Sequence, residues 1–194
     1  MLIKSVKLFA FLLVFTLSGC SFTKYTEPEN RIYATALGID KTTSGYILTC
    51  ETTNSEASSL LAGELFTAEG NSLTSAFYEL KTAMHKTPCF FKCPVIFVGE
   101  SITKSGVYEI VSFLLKQNEF SFSVRLACAQ NANHLLNSKT KFNLPKGVLA
   151  YETIKKNEKG DSLAIILNKN TFSLPIFTET NGALKINATK DFYE

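Results

Sequence analysis

Several things are scarce in this chain. It has no apolar run long enough to span a bilayer as a helix, which takes about 20 residues. The greasiest stretch, Leu8–Leu17 (LFAFLLVFTL), is ten residues long. Histidine occurs only twice, at His85 and His134, which leaves little material for a general base or an imidazole metal site. The excess of positive charge is small. Twenty Lys and Arg face 17 Asp and Glu, and without Lys4 and Lys7 the surplus falls to one. No basic stripe is present either, so nucleic acid is excluded as a partner. There is no Gly-x-Ser-x-Gly, no glycine-rich phosphate loop and no repeat of 20 to 50 residues, which argues against an α/β hydrolase, a nucleotide-binding enzyme and a solenoid. No cofactor motif appears.

What is present begins at the amino terminus. Lys4 and Lys7 precede the short apolar run, and Ser18, Gly19 and Cys20 come directly after it. A basic region, an apolar core of this length and small residues at a cut site make a signal peptide rather than an anchor. Leu17-Ser18-Gly19-Cys20 is similar to a bacterial lipobox, in which the cysteine thiol is diacylglycerated and becomes the first mature residue. Residues 1–19 are therefore expected to be removed, leaving Cys20 as the lipidation site. Two or more acyl chains hold a protein stably on a bilayer. Residues 20–30, polar and containing Pro28, read as a tether.

Residues 31–194 read as one domain. Ile32–Ile39 and Tyr46–Thr53 alternate and flank the turn residues Asp40–Gly45, predicting a hairpin with Tyr33, Thr35, Leu37 and Ile39 on one face. A short strand is expected near Leu65–Ala68. Asn71–Lys86 carries Leu73, Phe77, Leu80 and Met84 at helical spacing, with Asn71 or Ser72 as cap and Thr87-Pro88 as stop. Val95–Gly99 reads as a strand buried on both faces, and Ser105–Gln117 as a helix. Ser121–Ala129 reads as a strand with Phe122, Val124, Leu126 and Cys128 facing the core. Asn131–Ser138 and Val148–Lys156 read as short helices. Leu163–Leu167 fits a helix or a strand. Asn181-Gly182 marks a closing hairpin. The expected fold class is α+β, a mixed β-sheet with helices packed mainly on one face.

With these elements in place, a family likeness emerges. Ala36-Leu37-Gly38-Ile39-Asp40 followed by Gly45-Tyr46-Ile47-Leu48-Thr49 resembles the opening hairpin of the Ger(x)C family, the lipoprotein C subunits of nutrient germinant receptors of bacterial spores. Ala68-Glu69-Gly70 with Leu73 and Ala76, then Val95–Glu100, then Ile110–Leu115 with Asn118-Glu119, are similar to later segments of that family in the same order. Cys20 stands where the family has its lipidated cysteine. The likeness is best over residues 31–138, and 139–194 form a less certain remainder. Family members are longer, so the match is to the amino-terminal domain only. The resemblance implies a non-enzymatic, membrane-anchored subunit at the spore inner membrane. It implies membrane subunits of a germinant receptor as partners, and a role in receptor assembly or signal transfer during germination. The alternative from another class is a stand-alone extracytoplasmic lipoprotein that binds a small ligand or envelope component.

The chemistry-bearing residues have simpler readings. His85, Cys89 and Cys93 are spaced by four, and Cys128 or His134 would complete a zinc set, but the Thr87-Pro88 break takes the three off a common face. No metal is expected, and buried free thiols explain the cysteines better. A Cys50–Cys128 disulfide stays open. Ser101-Ile102-Thr103-Lys104 spells S-x-x-K without its companion motifs. Asp40 and Glu100 come just after strands and could serve a site, or they could solvate turns and cap the next element. No catalytic residue is assigned.

Overall fold

A computed structural model describes residues 30–54, 64–104, 106–140 and 144–193. The signal peptide, Cys20 and nearly all of the tether lie outside the described residues. The strands are β1 (Arg31–Lys41), β2 (Tyr46–Asn54), β3 (Leu65–Gly70), β4 (Thr87–Cys89), β5 (Val95–Gly99), β6 (Arg125–Ala129), β7 (Thr171–Thr180) and β8 (Ala183–Tyr193). The helices are α1 (Leu73–Ala83), α2 (Glu100–Thr103), α3 (Tyr108–Gln117), α4 (Ala132–Asn137), α5 (Lys146–Asn157) and α6 (Leu163–Ile166). The class is α+β with a mixed sheet, as the sequence predicts.

The sheet runs β3-β2-β1-β5-β6-β7-β8, and β4 pairs with the start of β1. β1, β5, β6 and β7 are mutually parallel, while β2 and β8 return antiparallel beside β1 and β7. Continuous apolar runs suit the parallel centre because both of its faces are covered. Residues of β5 alternate between two cores. Ile96 and Val98 join the larger cluster, under α1, α2, α3 and α6. Val95 and Phe97 join the smaller one, under α4 and α5. Four of the six helices among the described residues thus share one face.

Local chemistry explains the elements. Ser72 caps α1 through a capping box, its hydroxyl accepting from the Ser75 N–H, and Leu73, Ala76, Phe77 and Leu80 form the buried stripe. Phe77 meets Phe90, Phe113 and Phe120 at ring-centroid distances of 4.9, 5.5 and 5.8 Å. Each such pair contributes about 0.5–1.5 kcal/mol beyond its area. Asn181 and Gly182 take φ of 54° and 76°, the paired left-handed residues of a two-residue hairpin turn.

Three expectations are corrected. A bulge between Ala34 and Ala36 inserts Thr35 as an extra residue opposite β2. The alternation therefore changes phase there, and Ile32 and Ala34 share the core of Leu37 and Ile39. The strand predicted over Ser121–Ala129 begins only at Arg125. The preceding residues turn through Ser121 and Ser123, whose hydroxyls bond each other at 2.8 Å, and Phe122 is 59% exposed instead of facing the core. The helix expected to run to Lys86 ends at Ala83, with Met84 already extended, and Thr87-Pro88 forms β4 instead of the stop, pairing with Arg31–Tyr33.

Candidate functional site

β5 and β6 are neighbours and parallel, yet their connections leave to opposite faces. After Gly99 the chain enters α2 on the larger core's side, and after Ala129 it passes through Gln130 and Asn131 into α4 on the other. Such divergence opens a crevice beyond the carboxyl ends of the strands, the common binding position in open α/β sheets. Here the crevice measures about 760 Å³ and is lined by Glu100, Lys104, Gln130, His134, Thr178 and Glu179, among others. A neighbouring hollow of about 350 Å³ reaches Cys128 and Lys190. Lys190 Nζ donates to the Thr103 carbonyl at 3.3 Å. The Thr178 hydroxyl is buried and has no hydrogen-bond partner among the described residues.

Two buried carboxylates hold the helices of the smaller core. Asp40, at the end of β1, accepts the Ala132 N–H through Oδ1 at 3.0 Å and the Asn133 N–H through Oδ2 at 2.7 Å. It thereby caps α4, with the Asn131 side chain taking the His134 N–H at 2.6 Å. Burial pushes the Asp40 carboxyl above its usual range, and the two N–H groups pull it back only in part. A Cβ on Gly99 would collide with Asp40 Oδ1, so this close approach requires glycine. Asp40 is a cap, but for a helix 92 residues away and not for the element next in sequence.

Glu51 does the same for α5. Its Oε1 accepts the Lys146 N–H at 2.9 Å, and its Oε2 accepts the Gly147 N–H at 3.0 Å and the Thr35 hydroxyl at 3.0 Å. The bulge at Thr35 supplies that third donor. α5 has no capping side chain of its own, because Pro145 occupies the cap position. Lys146 is buried, and its Nζ donates to the carbonyls of Leu136, at 2.5 Å, and Ser138. Burial lowers its pKa, opposed by the charges of Glu51 and Glu179. Sequence reasoning missed both groups. The available signal was a lone acid inside the apolar alternation of Tyr46–Thr53.

The remaining candidates do not converge. Glu100 pairs with Lys104 at 3.0 Å on the surface. Ser101 Oγ accepts the Lys41 N–H at 3.2 Å, so neither half of the S-x-x-K spelling engages the other. His85 lies 3.8 Å from Glu64 and packs on Phe66. Among the described residues no group of three or more His, Cys, Asp or Glu could hold a metal ion. Cys50, Cys89, Cys93 and Cys128 are free thiols. Cys50 on β2 and Cys128 on β6 are separated by β1 and β5, roughly 14 Å at sheet spacing and twice the reach of a disulfide. Burial pushes the Cys93 and Cys128 thiols up to about 12 and raises Cys50 well above its ordinary value. No described helix is long and apolar enough to cross a membrane.

Fold and site together define a layered α+β domain whose buried carboxylates hold helices and whose crevice opens at the strand ends. The family described as the spore germination protein N-terminal domain matches residues 24–185, and the chain belongs to that family. The match runs past Ser138 through β7 and into β8. No curated protein and no solved structure matches the chain.

Proposed function

We propose that this germination protein works as a lipid-anchored, non-enzymatic subunit of a nutrient germinant receptor at the spore inner membrane. The observation that carries the reading is the placement of the family match. It begins at residue 24, four residues after the lipobox cysteine Cys20. Acyl chains on Cys20 confine the domain to the membrane plane and raise its effective concentration near polytopic partners. Assembly or signal transfer then arises from contact with those subunits and needs no bond-making step by this chain. Helices α4 and α5, fixed to β1 and β2 by Asp40 and Glu51, give partners a rigid face.

The test is deletion of the gene, with nutrient-triggered germination of purified spores as the readout. Slowed or lost germination for at least one nutrient is expected, with the protein recovered in spore inner membranes. Normal germination for every nutrient, with no protein in those membranes, overturns the proposal. A second reading, small-ligand binding by a stand-alone lipoprotein, draws support from the crevice and from the Thr178 hydroxyl, which has no partner among the described residues. It predicts neighbouring genes for transport instead of receptor subunits.

A further inference from the structure

The parallel strands β1, β5, β6 and β7 all start at one end of the sheet, and the chain enters the domain at that end through Arg31. Four of the seven exposed large apolar side chains among the described residues lie there as well. Phe91 is 65% exposed in the loop before β5, Phe122 59% in the turn before β6, and Leu167 42% in the segment before β7. Tyr193, 73% exposed, stands opposite Thr171 at the start of β7. The loops touch one another. Rings of Phe90 and Phe120 lie 5.4 Å apart, and the Ala164 N–H donates to the Phe122 carbonyl at 2.9 Å. Scattered exposed apolar residues are ordinary, but four on one rim call for an occupant. Charged side chains of both signs flank them, with Asp161 and Asp191 in the same hollow as Tyr193. Lys92 sits 5.3 Å over the Tyr33 ring, and Lys169 is 57% exposed, 3.8 Å from Asp161.

We propose that this rim is a bilayer-contacting surface. Phe91, Phe122, Leu167 and Tyr193 enter the headgroup region, Lys92 and Lys169 meet anionic lipid, and the crevice at the opposite strand ends faces away from the membrane. The occupant is a bilayer because of where the chain enters. Cys20 precedes Asn30 by ten residues, which reach at most about 33–36 Å, so the Arg31 end is the end kept nearest the lipid. In this respect the inference rests on the proposed acylation of Cys20. Aromatic side chains favour the headgroup boundary, and each basic residue near an anionic surface adds about 1 kcal/mol. Acyl chains retain the domain, and the rim sets its orientation. β1, eleven residues long, then rises about 35 Å from the surface and lifts the crevice toward whatever binds there.

The chain contains no tryptophan, so Phe122→Trp provides a single fluorophore on the rim and Tyr78→Trp one on α1, away from it. Each protein is purified from membranes of cells that process the leader and is reconstituted into phosphatidylcholine–phosphatidylglycerol vesicles with brominated acyl chains. The mass of the amino-terminal peptide is read from the same samples. The rim predicts at least about twofold quenching and a blue shift for Phe122→Trp, and little change for Tyr78→Trp. Phe91→Trp repeats the test at a second exposed site. If Cys20 carries lipid and the rim fluorophores are quenched no more than Tyr78→Trp, the rim is overturned and the anchor stands. If Cys20 is bare and the rim fluorophores are still quenched, the rim stands and the anchor fails. A bare Cys20 with no quenching overturns both.

Discussion

Glu51→Gln tests the claim that α5 is held by a carboxylate from β2. Glu51 is 3% exposed and takes three donors on two oxygens. Glutamine keeps the shape but offers one oxygen. If that oxygen takes the place of Oε2, Gly147 and Thr35 remain bonded, while the amide NH₂ faces the Lys146 N–H. One charge-assisted bond is lost and one buried donor is orphaned, a cost of about 2–3 kcal/mol. For a domain of this size each kcal/mol lowers the melting midpoint by about 2–4 °C, giving a drop of roughly 4–12 °C. Thermal unfolding monitored by far-ultraviolet circular dichroism measures it. Glu100→Gln is the control, since that carboxylate is exposed and pairs with Lys104 on the surface. It should cost less than about 1 kcal/mol. A Glu51→Gln protein that melts within a degree or so of wild type refutes the reasoning, and so does an equal loss from Glu100→Gln.

Other outcomes rest on the same structure. Gly147→Ala would drive a Cβ into the Thr35 carbonyl oxygen, and backbone cannot yield as a flexible side chain can. It should unfold at markedly lower urea than Gly106→Ala, where a Cβ meets nothing within 4 Å and only the φ of 111° opposes a side chain. In the native protein at neutral pH, only Cys89 of the four described thiols should react promptly with a thiol reagent, because the other three are buried. Fully denatured mature protein should titrate four thiols if Cys20 is a thioether, and five if it is free. Lys146 has a lowered folded pKa, so the unfolded chain binds more protons between that value and 10.5. Its cost is full below the folded pKa and is relieved as pH rises toward 10.5. A Lys146→Met variant should lack that alkaline gain when urea midpoints are compared across pH.

Much of the fold was legible because its signals are local. The closing hairpin is written in Asn181-Gly182, α1 in Ser72 and its apolar stripe, and β5 in a run of five buried residues. What escaped was non-local or one residue long. Alternation in β1 could not reveal the bulge at Thr35, since the partner register fixes it. Phe122 continued the alternation of β6 on paper, but the turn at Ser121–Ser123 stops the strand short of it. Asp40 and Glu51 bond N–H groups 92 to 96 residues away, so nothing near them in sequence announces their partners. The crevice depends on strand order and on which face each connection takes, neither of which periodicity encodes.

A fat-anchored domain serving germination from the membrane surface is the central claim. The most direct measurement is the rate of nutrient-triggered germination in spores carrying Cys20→Ala at the native locus, with the protein assayed in the inner-membrane fraction. Slowed germination and loss of the domain from that fraction are predicted. Wild-type germination with the substituted protein still bound to the membrane would contradict the claim.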